Sequence, residues 1–235
     1  MDEKALKTSL GQRIVIIVIA ILLLGGTILT YLFVVLNNGN NSSTSKQEEL
    51  VEQLGNDFDA KSAELDVVVK ALSEKYFKDF VGYKAQVKAY NSAKANAAGI
   101  EVKDLKVGTG RTLEDGDTNY MPYYIGWCAD GSIFDSSFDN SEEPTSLNAP
   151  LAPFTSNFIE GWQQGVVGMK LGGVRQISIP GELAYGDSQE ICGSTNAPLK
   201  FIILALEPDA EWTKLSQELS DIRTQLIYVL YGGAM

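Results

Sequence analysis

The chain has 235 residues, with 19 Lys and Arg against 30 Asp and Glu, two cysteines and no histidine. Those counts exclude Ser-His-Asp and Cys-His nucleophilic catalysis, His-ligated zinc or haem, and metal sites built from four cysteines, because each needs residues the chain lacks. A net charge of −11 also argues against nucleic acid as a partner, since affinity for a phosphate backbone comes mostly from Lys and Arg.

Taken from the N-terminus, residues 1–13 read as a short cytoplasmic segment and Ile14–Leu36 as a transmembrane helix. The run holds 23 residues without a charge, and about 20 apolar residues suffice to cross a bilayer. It is too long for the apolar core of a signal peptide. Lys4, Lys7 and Arg13 precede it and no basic residue follows before Lys46, so the positive-inside rule places the remainder outside the cytoplasm, in a periplasm or at a cell surface. Residues 1–36 hold three basic and two acidic residues, so that remainder carries −12. Residues 37–45 are an Asn/Gly/Ser run that reads as a flexible linker.

Residues 46–98 form an amphipathic helical segment. Leu50, Leu54, Phe58, Leu65, Val69, Leu72, Tyr76, Phe80, Tyr83, Val87 and Tyr90 recur mostly at intervals of three, four or seven. Gly55 and Gly82 are the two places where a break or kink is expected. A second apolar stripe, through Trp212, Leu215, Leu219, Ile222, Leu226 and Val229, makes residues 208–235 a C-terminal helix. Two arrangements fit these stripes: the helices pack on each other or on the folded domain, or they seam a homodimer as a coiled coil.

Between them, residues 99–207 change to short β-type runs, MPYYIGWC, VRQISIP and LKFIILALE, separated by Gly, Asp, Asn and Pro. FIEGWQQGVVGMKLGG interrupts them with a short helical pattern that stops at Gly172 and Gly173. A sheet with one short helix on its face is an α+β domain. Asp130-Gly131 reads as a hairpin turn. Gly165, Gly168, Gly172 and Gly173 lack the Lys-Ser/Thr of a phosphate loop and suit helix packing and termination.

Five motifs recur here in order: Tyr124-Ile125-Gly126; Asp130-Gly131 with Phe134-Asp135-Ser136-Ser137; Phe158-Ile159-Glu160-Gly161-Trp162 with Gly165 and Met169; Ala184-Tyr185-Gly186; and Leu199-x-Phe201. Together they resemble the FKBP-type peptidyl-prolyl cis-trans isomerases, over about residues 99–207. The resemblance implies a twisted antiparallel sheet wrapped on a short helix and an aromatic cup. Trp162 would be its floor, and Tyr124, Phe134, Phe158, Ile159 and Phe201 its walls. Asp135 and the Tyr185 hydroxyl would be polar groups at the edge, and the Ile159 N–H a donor to bound peptide. It implies no cofactor and no metal, with proline-containing unfolded or exported polypeptides as partners. A non-catalytic proline-segment binder, scaffold or chaperone of the cell envelope is the alternative.

The chain also departs from the family pattern. Pro144-Thr145 stands where an aromatic often follows the proline, with Phe154 a candidate replacement, and Thr195-Asn196 stands where a Pro-Pro pair is common. These departures bear on substrate preference. Cys128 and Cys192 both fall in this domain. In an oxidising compartment they are a candidate disulfide, and the family's loop can fold back toward that strand; two buried free thiols are the other reading.

Overall fold

A computed structural model of the chain describes residues 42–138, 146–148, 150 and 158–231. The apolar run 14–36, linker residues 37–41 and Phe154 lie outside the described residues. Among those described, no helix is long and apolar enough to cross a membrane.

The chain divides into two compact units, which among the described residues are 42–66 with 214–231, and 67–213. Helix α1, Ser42–Val81, contributes to both. It begins inside the segment read as linker, so residues 42–45 are helical. Once nucleated by the long apolar stripe, a helix extends through Ser and Thr at little cost. It runs through Gly55 without interruption and stops at Gly82, where Gly82–Gln86 tightens into a 3-10 turn. Of the two glycines, only Gly82 marks a break, and the apolar positions Tyr83, Val87 and Tyr90 beyond it are not in the helix. Helix α2, Ser92–Ala98, follows a non-helical stretch and is capped by Asn91, whose side chain accepts from the Lys94 N–H at 2.8 Å. The 46–98 segment is therefore two helices and a turn.

In the first unit, Val51 and Leu54 pack with Leu226 in a small core joined by Ile222, Val229 and Leu230. The two apolar stripes meet there within one chain. Exposed Lys61 joins Glu64 at 2.9 Å and Glu218 at 3.2 Å.

The second unit holds a five-stranded antiparallel sheet: β1 Glu101–Lys106, β2 Met121–Trp127, β3 Ile133–Ser136, β4 Val174–Ile179 and β5 Leu199–Leu206. Their order is β1-β4-β5-β2-β3. The apolar runs at β2 and β5 form adjacent strands, registered with Gly126 opposite Phe201 and Tyr124 opposite Ile203. Helix α3, Glu160–Val166, lies on one face. Gly161 and Gly165 permit that contact: a Cβ added at Gly161 would meet Ile179 Cγ2 at 2.2 Å, and one at Gly165 would meet Ile177 Cγ2 at 2.6 Å. Arg175, buried on β4, ties the same layer together. Its Nε donates to Asp104 Oδ1 on β1 at 2.6 Å, and its Nη1 donates to the carbonyls of Gly165 at 3.0 Å and Val167 at 2.8 Å, at the end of α3. The turn between β2 and β3 is the expected Asp-Gly one, with Gly131 at φ +90° and the Asp130 carboxylate accepting from the Ser132 N–H. Helix α4, Ala210–Tyr231, closes the described chain. Asp209 caps it by accepting from the Trp212 N–H at 2.9 Å.

Candidate active site

Side chains alternate along a strand, so Tyr124, Gly126 and their β5 neighbour Phe201 share the face that carries α3. The gathered rings form one cluster. Trp162, placed by the first turn of α3, stacks on Phe158 at 4.9 Å with an interplanar angle of 3°. Phe201 stands perpendicular to the indole at 5.1 Å and Tyr124 at 5.6 Å. Phe134, on β3, meets Phe201 edge-on at 5.7 Å. Gly126 lets the rings close in, since a Cβ there would meet Phe201 Cε1 at 2.7 Å and Phe134 Cζ at 2.9 Å.

Two polar contacts orient this cluster. The Tyr124 hydroxyl donates to Asp135 Oδ2 at 2.6 Å, and the Trp162 Nε1–H donates to the Tyr120 hydroxyl at 2.9 Å. Burial pushes the Asp135 carboxyl above its ordinary range, while the bond from Tyr124 and a backbone bond at Ser136 pull it back. Burial raises Tyr124 strongly, with the Asp135 charge and hydrogen bond adding to it. Tyr185 is raised by burial first and by the Asp135 charge second.

Tyr185 sits on the loop after the 3-10 turn Gly181–Leu183, and three kinds of bond hold that loop. Gly186 N–H donates to the Gly181 carbonyl and Asn196 N–H to that of Gly186. Asn96 of α2 accepts from the Gly181 N–H at 2.8 Å. Cys192 is disulfide-bonded to Cys128, at the end of β2, with their Cα atoms 5.7 Å apart. Of the two readings left open for the cysteines, the structure has the bonded one. Cys192 and Asn196 have φ of +59° and +51°, which fits a loop pinned in a tight conformation.

All the anticipated side chains, Tyr124, Phe134, Asp135, Phe158, Ile159, Trp162, Tyr185 and Phe201, lie among the described residues. Six ring-bearing or carboxylate groups of that set are linked by the contacts above. Ile159 caps α3 with its carbonyl accepting from the N–H groups of Trp162 and Gln163. Tyr120 was not anticipated from the sequence. It stacks on Phe158 at 6.1 Å, and its hydroxyl, pushed up to about 12 by burial, stays neutral and able to accept from Trp162.

The model of the family described as FKBP-type peptidyl-prolyl cis-trans isomerase matches residues 110–205. An FK506-binding protein of Neisseria meningitidis serogroup B is 35% identical over 88 residues, which cover 37% of this chain and 75% of that protein. FK506-binding protein 4 of Chaetomium thermophilum is 37% identical over 114 residues, 46% of this chain and 21% of that one. The crystal structure of FkpA from Escherichia coli aligns at 27% identity and a TM-score of 0.37, over 67% of this chain and 70% of that one. The chain spans about a fifth of the length of its fungal relatives. It belongs to the FKBP-type peptidyl-prolyl cis-trans isomerase family.

Proposed function

We propose that this chain is a peptidyl-prolyl cis-trans isomerase that acts on proline-containing unfolded or exported polypeptides. The observation that carries the reading is the ring cluster around Trp162, closed on one side by the Tyr124–Asp135 hydrogen bond. Rotating an X–Pro bond breaks no covalent bond; it opposes amide resonance with a barrier of about 18–20 kcal/mol. The planar amide is more dipolar than the twisted one. Transfer from water into an aromatic cup therefore favours the twist, and a cup shaped for it binds the transition state better than either isomer. The Ile159 N–H and the Tyr185 hydroxyl hold the half of the peptide that does not rotate. Asp135, through Tyr124, orients the wall and responds to the displaced carbonyl without transferring a proton.

The reading extends to anchoring: Ile14–Leu36 spans a membrane, with the N-terminus cytoplasmic and the isomerase domain on the other side. A homodimer would exchange the contact of Val51 and Leu54 with Leu226 for the same contact between two chains. Alkaline extraction that released the full chain from membranes would end the anchoring proposal, and light scattering reads the dimer.

A second reading, a binder without turnover, is favoured by one feature. Phe158 lies flat on the indole and Trp162 is only 3% exposed, so the floor is covered by Phe158. A proline-peptide isomerisation assay on the full chain separates the two. Catalysis predicts acceleration above background, lowered about tenfold or more in kcat/KM by Trp162→Leu or Tyr185→Phe with the fold intact, or ~1.4 kcal/mol of transition-state binding. Peptide binding with no acceleration would leave the second reading standing.

A further inference from the structure

Tyr185 stands on a loop whose two ends meet. Buried Gly181 lies so close to Asn196 that the Asn196 carbonyl leaves no room for a Cβ at Gly181. Asn96 of α2 reaches both ends at once. Its Oδ1 accepts from the Gly181 N–H at 2.8 Å, and its Nδ2 donates to the Asn196 carbonyl at 3.3 Å. Earlier in the same segment, Tyr90 joins the loop exit to the end of β2: its hydroxyl donates to the Pro198 carbonyl at 2.8 Å and its N–H to the Ala129 carbonyl at 2.8 Å. The Lys88 carbonyl accepts from the Trp127 Nε1–H at 3.2 Å. Residues 88–96 therefore strap the loop to the strand that carries Tyr124, between the same two places that the disulfide joins. They lie outside residues 110–205, the span that the family model matches.

We infer that Asn96 is a positioning residue for isomerisation, acting through Tyr185; the inference rests on the isomerase reading, in which the Tyr185 hydroxyl holds the peptide. Three observations carry it. Gly181 is buried and its N–H takes Asn96 as acceptor. A buried N–H left without an acceptor costs more than the bond itself contributes, so loss of Asn96 favours an opened loop that water can reach. Gly186, next to Tyr185, donates to the carbonyl of that same Gly181 at 2.8 Å, so motion at the anchor passes directly to the neighbour of the ring. Cys192 and Asn196 hold φ of +59° and +51°, left-handed backbone that a residue other than glycine keeps only when its surroundings impose it. Asn96 bonds to the second of these, and a released loop relaxes toward ordinary backbone, taking Tyr185 with it. For a group that must hold half of the peptide still, a misplacement of about 1 Å can cost up to about a hundredfold in rate.

The test is a double-mutant cycle on the full chain in lipid nanodiscs, with empty nanodiscs as blank, reading kcat/KM for the blocked peptide Ala-Leu-Pro-Phe. Asn96 is exposed and alanine is the better helix former, so Asn96→Ala removes both bonds without weakening α2. It should lower kcat/KM about threefold or more in the parent, and by no more than about 1.5-fold once Tyr185→Phe is present, because an effect that runs through the hydroxyl then has nothing left to act on. Hydrogen exchange in Asn96→Ala should quicken about fivefold or more at Gly186 and Asn196 and stay unchanged across β5, which separates a loosened loop from a loosened domain. A parent that binds the peptide without accelerating it ends the isomerase reading alone, and the same cycle is then read on Kd with the same expectation. Equal losses with and without the Tyr185 hydroxyl, no loss in Asn96→Ala, loop exchange that does not quicken, or a parent that neither binds nor accelerates the peptide would overturn the inference.

Discussion

The carboxylate of Asp135 is pulled two ways by its surroundings. Burial favours its neutral form more than the bonds from Tyr124 and the backbone at Ser136 favour the charged one, so its native pKa lies above the ordinary 3.8. Between those two values the native state binds more protons than the unfolded state, and stability must fall as pH rises through that window. Asp135→Asn keeps an acceptor for the Tyr124 hydroxyl and removes the titration. The stability of the variant relative to the parent should therefore climb from about pH 3 until the native carboxyl is fully ionised and then level off. Urea midpoints at several pH values measure this, and a flat difference would mean that Asp135 is not raised. At this scale most of the site was legible, because ring identity and motif spacing are written in the chain. Tyr120 was not. Its partner Trp162 lies 42 residues away, and only the register of β2 brings the hydroxyl to the indole.

Among the strands, β1 was hidden from the sequence. EVKDLK is exposed along almost its whole length at the sheet edge, so no apolar alternation marks it, and its charges suit an edge that must not recruit other strands. Beyond its ladder with β4, β1 is tied to the helix layer by Arg175, itself almost fully buried. The two ends of that ion pair should not matter equally. Arg175→Met leaves two carbonyls at the end of α3 without their charged donor, and should cost about 3 kcal/mol. The Asp104 side chain is 44% exposed, so water compensates for most of its loss, and Asp104→Asn should cost about 1 kcal/mol or less. Chemical denaturation of both variants checks the ratio; equal costs would mean that the pair, and not the helix end, is what Arg175 serves. Helix α1 was legible in its stripe but not in its length, since a glycine weakens a helix by only about 1 kcal/mol and does not say by itself whether the helix stops, as at Gly82, or runs on, as at Gly55.

For the whole molecule, the disulfide joins places 64 residues apart in sequence, and reducing it should lower stability by about 2–4 kcal/mol, most of it by releasing the unfolded chain. A denaturant midpoint unchanged by reductant would contradict this. Pairing was only one of two readings from the sequence, because two cysteines state a number and not a distance. The strand order could not be read from the sequence either: apolar runs identify β2 and β5 as interior strands but do not say which neighbours each takes. That order has a bearing on how the protein comes into being. β5 is the last strand to be synthesised and the middle one of the sheet, flanked by β4 on one side and β2 on the other. Until Leu199–Leu206 leaves the ribosome, β1 with β4 and β2 with β3 are two separate pairs with nothing to join them. Phe201 arrives on that same strand, so a catalyst proposed to help other chains fold can have no site of its own until its sheet has closed.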